Sequence, residues 1–373
     1  MTGETAEREP SSFRDPTGFV YRRDGQIYRQ IHAEHAADWE KLYSSGLYSR
    51  LVERGWLVEH EEVPAKFAFD AAAWRVVRPR LIEFVSYPYE WTFGQLRDAA
   101  LLTLDAQTAA LDAGLTLKDA SAYNVQFEAE RPVLIDPLSF EQYEENAPWV
   151  AYRQFCQHFL APLALMAQRD VRLGLLLRDF IDGVPLDLAA RLLPLSSRVR
   201  MGQAAHLHLH ARAQRSHGRN GEGEVRVQMS RTRLEALLDS LRSTIEGLRW
   251  QPAGTEWADY GLTASYSDRA AESKRAIVQR FLEATDGTWV WDLGANTGFF
   301  SRIAADLGRR VLAIDGDPAA AEQHYRALRQ AGPGAILPLV IDLANPSPSL
   351  GWAHGERRSL VERANADTLI ALA

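Results

Sequence analysis

The spacing of apolar positions changes along the chain, and each change predicts an element. Residues 18–32 alternate apolar and polar side chains on both sides of Asp24-Gly25, which predicts a β-hairpin turning there. Helical spacing follows from about His35 to Glu53. Short apolar runs near Trp74–Val77 and Leu81–Tyr87 predict strands, and a long helix should run from about Phe93 to Ala113. A further apolar segment, Leu115–Phe127, leads into Arg131-Pro132-Val133-Leu134-Ile135-Asp136, a strand ending in an acid. Trp149–Phe155 opens another helix, whose aromatic residues read mainly as packing. Leu234, Leu237, Leu238, Leu241 and Leu248 recur at helical intervals. An amphipathic segment capped by Ser267 or Asp268 runs to about Ala284. Then the pattern becomes continuous: Val290–Leu293, Val311–Asp315, Ala335–Asp342 and Ala366–Ala373 are apolar enough for strands buried on both faces.

These periodicities divide the chain into an α+β segment over 1–213, a polar glycine-rich linker over 214–229, a bridging helical segment over 230–261, and an α/β segment over 262–373. Its 373 residues, 46% of them hydrophobic, suffice for two or three cores. The formal net charge of −7 argues against general nucleic-acid affinity, because phosphate neutralisation needs a basic face. No apolar run approaches a membrane span and the polar start lacks a signal-peptide core, so the simple expectation is a cytoplasmic protein. Cys156, the single cysteine, excludes an internal disulfide framework and reads as a buried structural thiol. His206-Leu207-His208-Leu209-His210 would line one face of a strand as a metal site does. With no carboxylate in the tract, it reads instead as a partly exposed segment whose leucines pack.

The most informative stretch is Val290-Trp291-Asp292-Leu293-Gly294-Ala295-Asn296-Thr297-Gly298-Phe299-Phe300. It reads as a buried strand, a tight glycine turn and a helix start. Asp315 then stands at the tip of the next strand. Glycines let a backbone approach a ligand, and a carboxylate at that tip can accept both hydroxyls of a ribose. Asn296 replaces a middle glycine but tolerates a left-handed backbone. Asp292 would repel a pyrophosphate and suits an ammonium. An NAD-type site and a purely structural turn stay open on these residues alone.

D-x-G-x-N-x-G followed by a strand ending in Asp resembles motif I and its successor in class I S-adenosylmethionine (SAM) methyltransferases. The resemblance covers roughly 262–373 and implies a partial Rossmann-like domain. It implies that Asp292, Gly294, Asn296 and Gly298 hold the methionine portion of SAM, Asp315 the ribose and Asp342 the adenine. Such a domain would continue for about three more strands, past the positions that commonly face the substrate, so neither a catalytic residue nor the methyl acceptor can be named. In the first half, Asp119, Asn124 and Asp136 match the D-x-x-x-x-N loop and metal-binding Asp of the kinase-like fold, which implies Mg²⁺ on Asn124 and Asp136. Leu117 stands where that family has His, Pro137-Leu138 follows Asp136, and Arg29 stands where a strand lysine is expected. The resemblance therefore implies a kinase-like α+β module, with phosphotransfer as an alternative activity. A non-catalytic SAM- or nucleotide-binding module is the other alternative. The whole chain resembles a group of two-part bacterial SAM-dependent methyltransferases, some with nodulation-type functions. The oligomeric state is not legible.

Overall fold

The computed structural model describes residues 6–12, 15–209, 228–252 and 268–372. The first half opens with a five-stranded antiparallel sheet of β1 (Glu7–Arg8), β2 (Gly18–Arg23), β3 (Gln26–Ile31), β4 (His60–Val63) and β5 (Arg75–Pro79), in the order β1-β2-β3-β5-β4. Asp24 and Gly25 both take positive φ, 52° and 75°, as a two-residue hairpin with the twist of its strands requires. The helix expected over 35–53 is two, α1 (Ala36–Ser44) and α2 (Leu47–Glu53), because Gly46 between them adopts φ 71°. The strand expected at Leu81–Tyr87 does not form. Gln126 takes the place of a neighbouring strand there: its side-chain amide accepts from Ser86 N at 2.9 Å and donates to Ser86 O at 3.0 Å. A side chain that satisfies the backbone removes the need for a ladder.

The long helix α3 (Phe93–Asp112) starts on a capping box, with Thr92 Oγ1 accepting from Gln95 N and Gln95 Oε1 accepting from Thr92 N. Around it lie β6 (Leu115–Leu117) paired with β9 (Phe140–Gln142), and the hairpin of β7 (Val125–Glu128) and β8 (Arg131–Leu134). The helix read from Trp149 begins later, as α4 (Tyr152–Phe155). It passes through a π-helical turn, Cys156–Leu160, into α5 (Ala161–Gln168). Short helices α6 (Leu176–Asp179), α7 (Leu186–Leu192) and α8 (Met201–Gln203) follow. The segment read as linker, 214–229, lies outside the described residues except for Gln228 and Met229.

The helix of the segment expected as a bridge is α9 (Arg231–Gly247), which packs on the first half, while Trp250 and Pro252 beyond it accept at their carbonyls from Arg326 and Gln323 of the last third. Leu234, Leu238, Leu241 and Ile245 are buried in the core of the first half, and Arg242 and Arg231 pair with Asp105 and Asp112 of α3. Those apolar positions form one stripe at helical spacing, and a stripe of that kind needs a core to face.

The last third holds α10 (Asp268–Glu283), β10 (Trp289–Leu293), α11 (Phe299–Asp306), β11 (Arg310–Asp315), α12 (Pro318–Ala331), β12 (Ile336–Val340) and β13 (Thr368–Ala371). Its four strands are parallel, in the order β12-β11-β10-β13. Ser267, proposed as a cap of the leading helix, lies outside the described residues. Alternation along the strands separates two faces. Val290, Val311, Ala313 and Ile336 pack with Val278 and Leu282 of α10 and with Ile303 of α11. Trp291, Leu312, Ile314, Leu337 and Leu339 join the core of the first half instead. A parallel sheet needs cover on both faces, and here the second cover is the rest of the same chain.

Candidate functional site

Three features meet at the carboxyl ends of the parallel strands. The first is the turn Gly294–Gly298, in which Gly294, Asn296 and Gly298 have φ of 76°, 49° and 77°. The second is Asp315, at the tip of β11. One carboxylate oxygen accepts from Asn296 N at 2.7 Å and the other from Asp317 N at 2.7 Å. The acid thus fixes the glycine turn to the next strand, while burial raises its pKa above the usual carboxylate range. The third is Asp342, exposed beyond β12, whose Oδ1 accepts from Ala344 N at 2.8 Å. A side chain on Gly316 would stand 3.8 Å from Asp342 Cα, so the two strand ends adjoin.

The two glycines are kept for different reasons. A Cβ on Gly294 would meet nothing within 4 Å, so this part of the turn faces open space. A Cβ on Gly298 would fall 2.0 Å from His324 Cε1 and Nε2, so the α12 imidazole fills the space that glycine leaves. That histidine is 1% exposed, its Nε2 lacks a partner among the described residues, and burial depresses its pKa to about 3.

Asp292 lies within β10, just before the turn. It is 3% exposed and accepts a 2.6 Å hydrogen bond from Ser301 Oγ of α11, and burial pushes its pKa up to about 6. It faces the first turns of that helix. Sequence reasoning missed Ser301, His324 and Asp317, which is 8% exposed and caps α12 through Ala319 N while its Oδ2 has no partner among the described residues. Only Asp317 had a local signal, an Asp-Pro at a helix start. A cleft of about 280 Å³ lined by Arg80, Phe84, Trp289, Arg310 and Ala335 lies at the opposite, amino-terminal end of the strands, away from these groups.

In the first half, Asp119, Asn124 and Asp136 do come together. Asp119 accepts from Ser121 N at 2.9 Å; burial raises its pKa, as does the Asp136 charge, while a hydrogen bond with Asn124 opposes the rise. The Asn124 amide also donates to Ser139 Oγ at 3.1 Å. Arg29 of β3 donates to Asp136 Oδ1 at 2.6 Å, and Leu138 N donates to the same oxygen. A guanidinium already neutralises the carboxylate that would bind Mg²⁺, so this donor set does not fit a metal. Asp136 itself stands after β8 as the cap of a short turn rather than at the strand's end.

The histidine tract is in part the segment that its composition suggests: Leu207 packs fully buried in the core and His208 is half-buried. His206 is 3% exposed, with Nδ1 bonded to Tyr152 Oη at 2.8 Å and Nε2 to Ser240 Oγ at 2.9 Å. His208 bonds Ser197, and His210 lies outside the described residues. Cys156 is fully buried as expected, with its thiol pushed up to about 12.

No protein-family model matches the chain. The solved structure of vaccinia related kinase 3 is similar with a TM-score of 0.33 at 9% identity, over 67% of this chain and 94% of that one, too distant a likeness to carry a conclusion. The nodulation protein NoeA of Rhizobium meliloti (strain 1021) is 34% identical over an alignment of 376 positions, gaps included, that covers 98% of this chain and 78% of that protein. The chain belongs to the family of the nodulation protein NoeA.

Proposed function

We propose that the protein binds S-adenosylmethionine at the carboxyl ends of its parallel strands and transfers the methyl group to an acceptor. The observation that carries this reading is the placement of Asp315 against the glycine turn, next to the open side of Gly294. The turn lies where β10 has β11 on one side and β13 on the other. Ligands of open α/β sheets settle at such reversals of strand order. The adenosyl sulfonium would supply an electrophilic methyl group. The chain's own part is to hold and orient it. Asp315 has lone pairs left for a ribose diol beyond the two it gives to backbone N–H groups. Asp342 is open to an adenine amino group, and Gly294 and Asn296 leave room for the methionine portion. Asp292 contributes from behind, through Ser301 and the α11 start, rather than by reaching the ligand.

Calorimetric titration of the chain with SAM tests the reading, with Asp315→Ala as control. Saturable binding that the variant loses supports it. Absence of binding by a folded sample, or equal binding by the variant, removes it.

A further inference from the structure

Charge is unevenly placed along the chain. From Leu188 to Gly221 there are six arginines and no aspartate or glutamate, in a chain of net charge −7. The connection from α7 to α8 lies within this run and holds apolar side chains out to water. Met201, at 88%, and Val199, at 83%, are the two most exposed large apolar side chains among the described residues, and Leu195 is 75% exposed. Loose packing does not account for this. Leu193 and Ser197 of the same connection are buried, and Ser197 Oγ donates to Pro194 O at 2.6 Å and bonds His208 Nε2 at 2.8 Å. Arg169 Nε donates to Leu192 O at 2.5 Å, and a Cβ on Gly202 would collide with Thr244 of α9. The connection is thus pinned from inside, while Leu195, Arg198, Val199, Arg200 and Met201 are all exposed.

We propose that this connection docks the protein on a membrane surface rich in anionic lipid. Two properties select that partner. The first is charge: a basic run without acids is drawn to an anionic leaflet, and each arginine near the surface adds to the attraction. The second is the order of the side chains, for Arg198-Val199-Arg200-Met201 alternates charged and apolar groups residue by residue. A protein partner would call for a dry apolar centre inside a polar rim. Binding to a nucleic-acid backbone makes no use of exposed aliphatic groups. At a bilayer boundary both kinds of side chain are satisfied together. Guanidinium groups stay with the headgroup phosphates while aliphatic chains reach the acyl region. Docking of this kind lies on the surface and needs no spanning helix, and no described helix is long and apolar enough to be one. The site is independent of the glycine turn and of methyl transfer.

The test is co-sedimentation of the full chain at low salt with vesicles of phosphatidylcholine alone, or of equal parts phosphatidylcholine and phosphatidylglycerol. Binding to the mixed vesicles about tenfold or more tighter than to the neutral ones is expected. Arg198→Glu combined with Arg200→Glu should weaken it about twentyfold or more. Leu195→Ser, Val199→Ser and Met201→Ser combined should weaken it about tenfold or more at unchanged charge. All five side chains are exposed, so thermal unfolding should stay that of the parent. If the triple variant unfolds earlier, Val199→Ser with Met201→Ser replaces it. Mixed vesicles bound no more tightly than neutral ones, or either folded variant binding as the parent does, overturn the proposal. So does a DNA duplex that binds the chain more tightly than the mixed vesicles at the same salt.

Discussion

Arg363 and Glu90 form an ion pair from which water is excluded on both sides, their side chains being 5% and 1% exposed. Arg363 Nη1 donates to Glu90 Oε2 at 3.0 Å, and the guanidinium lies over the Tyr87 ring, 4.4 Å from its centre. Arg363 belongs to the connection between β12 and β13, and Glu90 to the turn before α3, so the pair fastens the last third of the chain to the first.

Removing one partner strands the other charge in a low-dielectric setting, which costs about 3–5 kcal/mol. Arg363→Ala should lower the unfolding free energy in urea by about that amount. Arg363→Met combined with Glu90→Gln should recover most of the loss. A single variant as stable as the parent would show that the pair contributes nothing.

Gly294→Ala and Gly298→Ala should separate strain from collision. Both place a Cβ at positive φ, at a cost of about 1–3 kcal/mol. Only Gly298→Ala also drives that Cβ into the His324 ring, adding about 1–3 kcal/mol of overpacking. Thermal denaturation should therefore rank Gly298→Ala lower. Adding His324→Ala should relieve the Gly298 variant's collision but not its backbone strain.

Acid should act on two buried groups of the last third with opposite sign. Folded His324 titrates at about 3 against 6.5 in the open chain, so its contribution is full above pH 6.5 and lost as pH falls towards 3. Folded Asp292 titrates at about 6 against 3.8, so its contribution is present below pH 3.8 and lost as pH rises through 6. Between pH 7 and 5, His324→Asn should reduce the fall in the urea midpoint on acidification, and Asp292→Asn should enlarge it.

Cys156 should be inert in the folded chain. Its thiol is fully buried and its pKa of about 12 leaves almost no thiolate at pH 8. A thiol reagent at that pH should label it only after denaturant is added. Fast labelling of the native chain would mean that the π-helical turn opens.

What could be read from the sequence was what short-range chemistry decides. Asp24-Gly25 specifies its hairpin from within four residues, and the glycine turn with Asp315 is set by one βαβ unit. The Leu81–Tyr87 strand failed because its partner is a side chain forty positions away, Gln126. His206 has the composition of a surface tract and is buried because Tyr152 and Ser240 reach it from elsewhere. The bond between Asp292 and Ser301, nine positions on, has no signal in the glycine motif. The Arg363–Glu90 pair, 273 residues apart, has no signature in either neighbourhood.

The sheet face formed by Trp291, Leu312, Ile314, Leu337 and Leu339 has a consequence for how such a protein can change over generations. A parallel-sheet unit covered by its own helices on both sides can be cut out, copied and joined to new neighbours. Here one side of the sheet is covered by the other half, with Phe84 against Trp291 and Phe127 against Tyr325. Recombination that parted the halves would leave both with bare apolar surface.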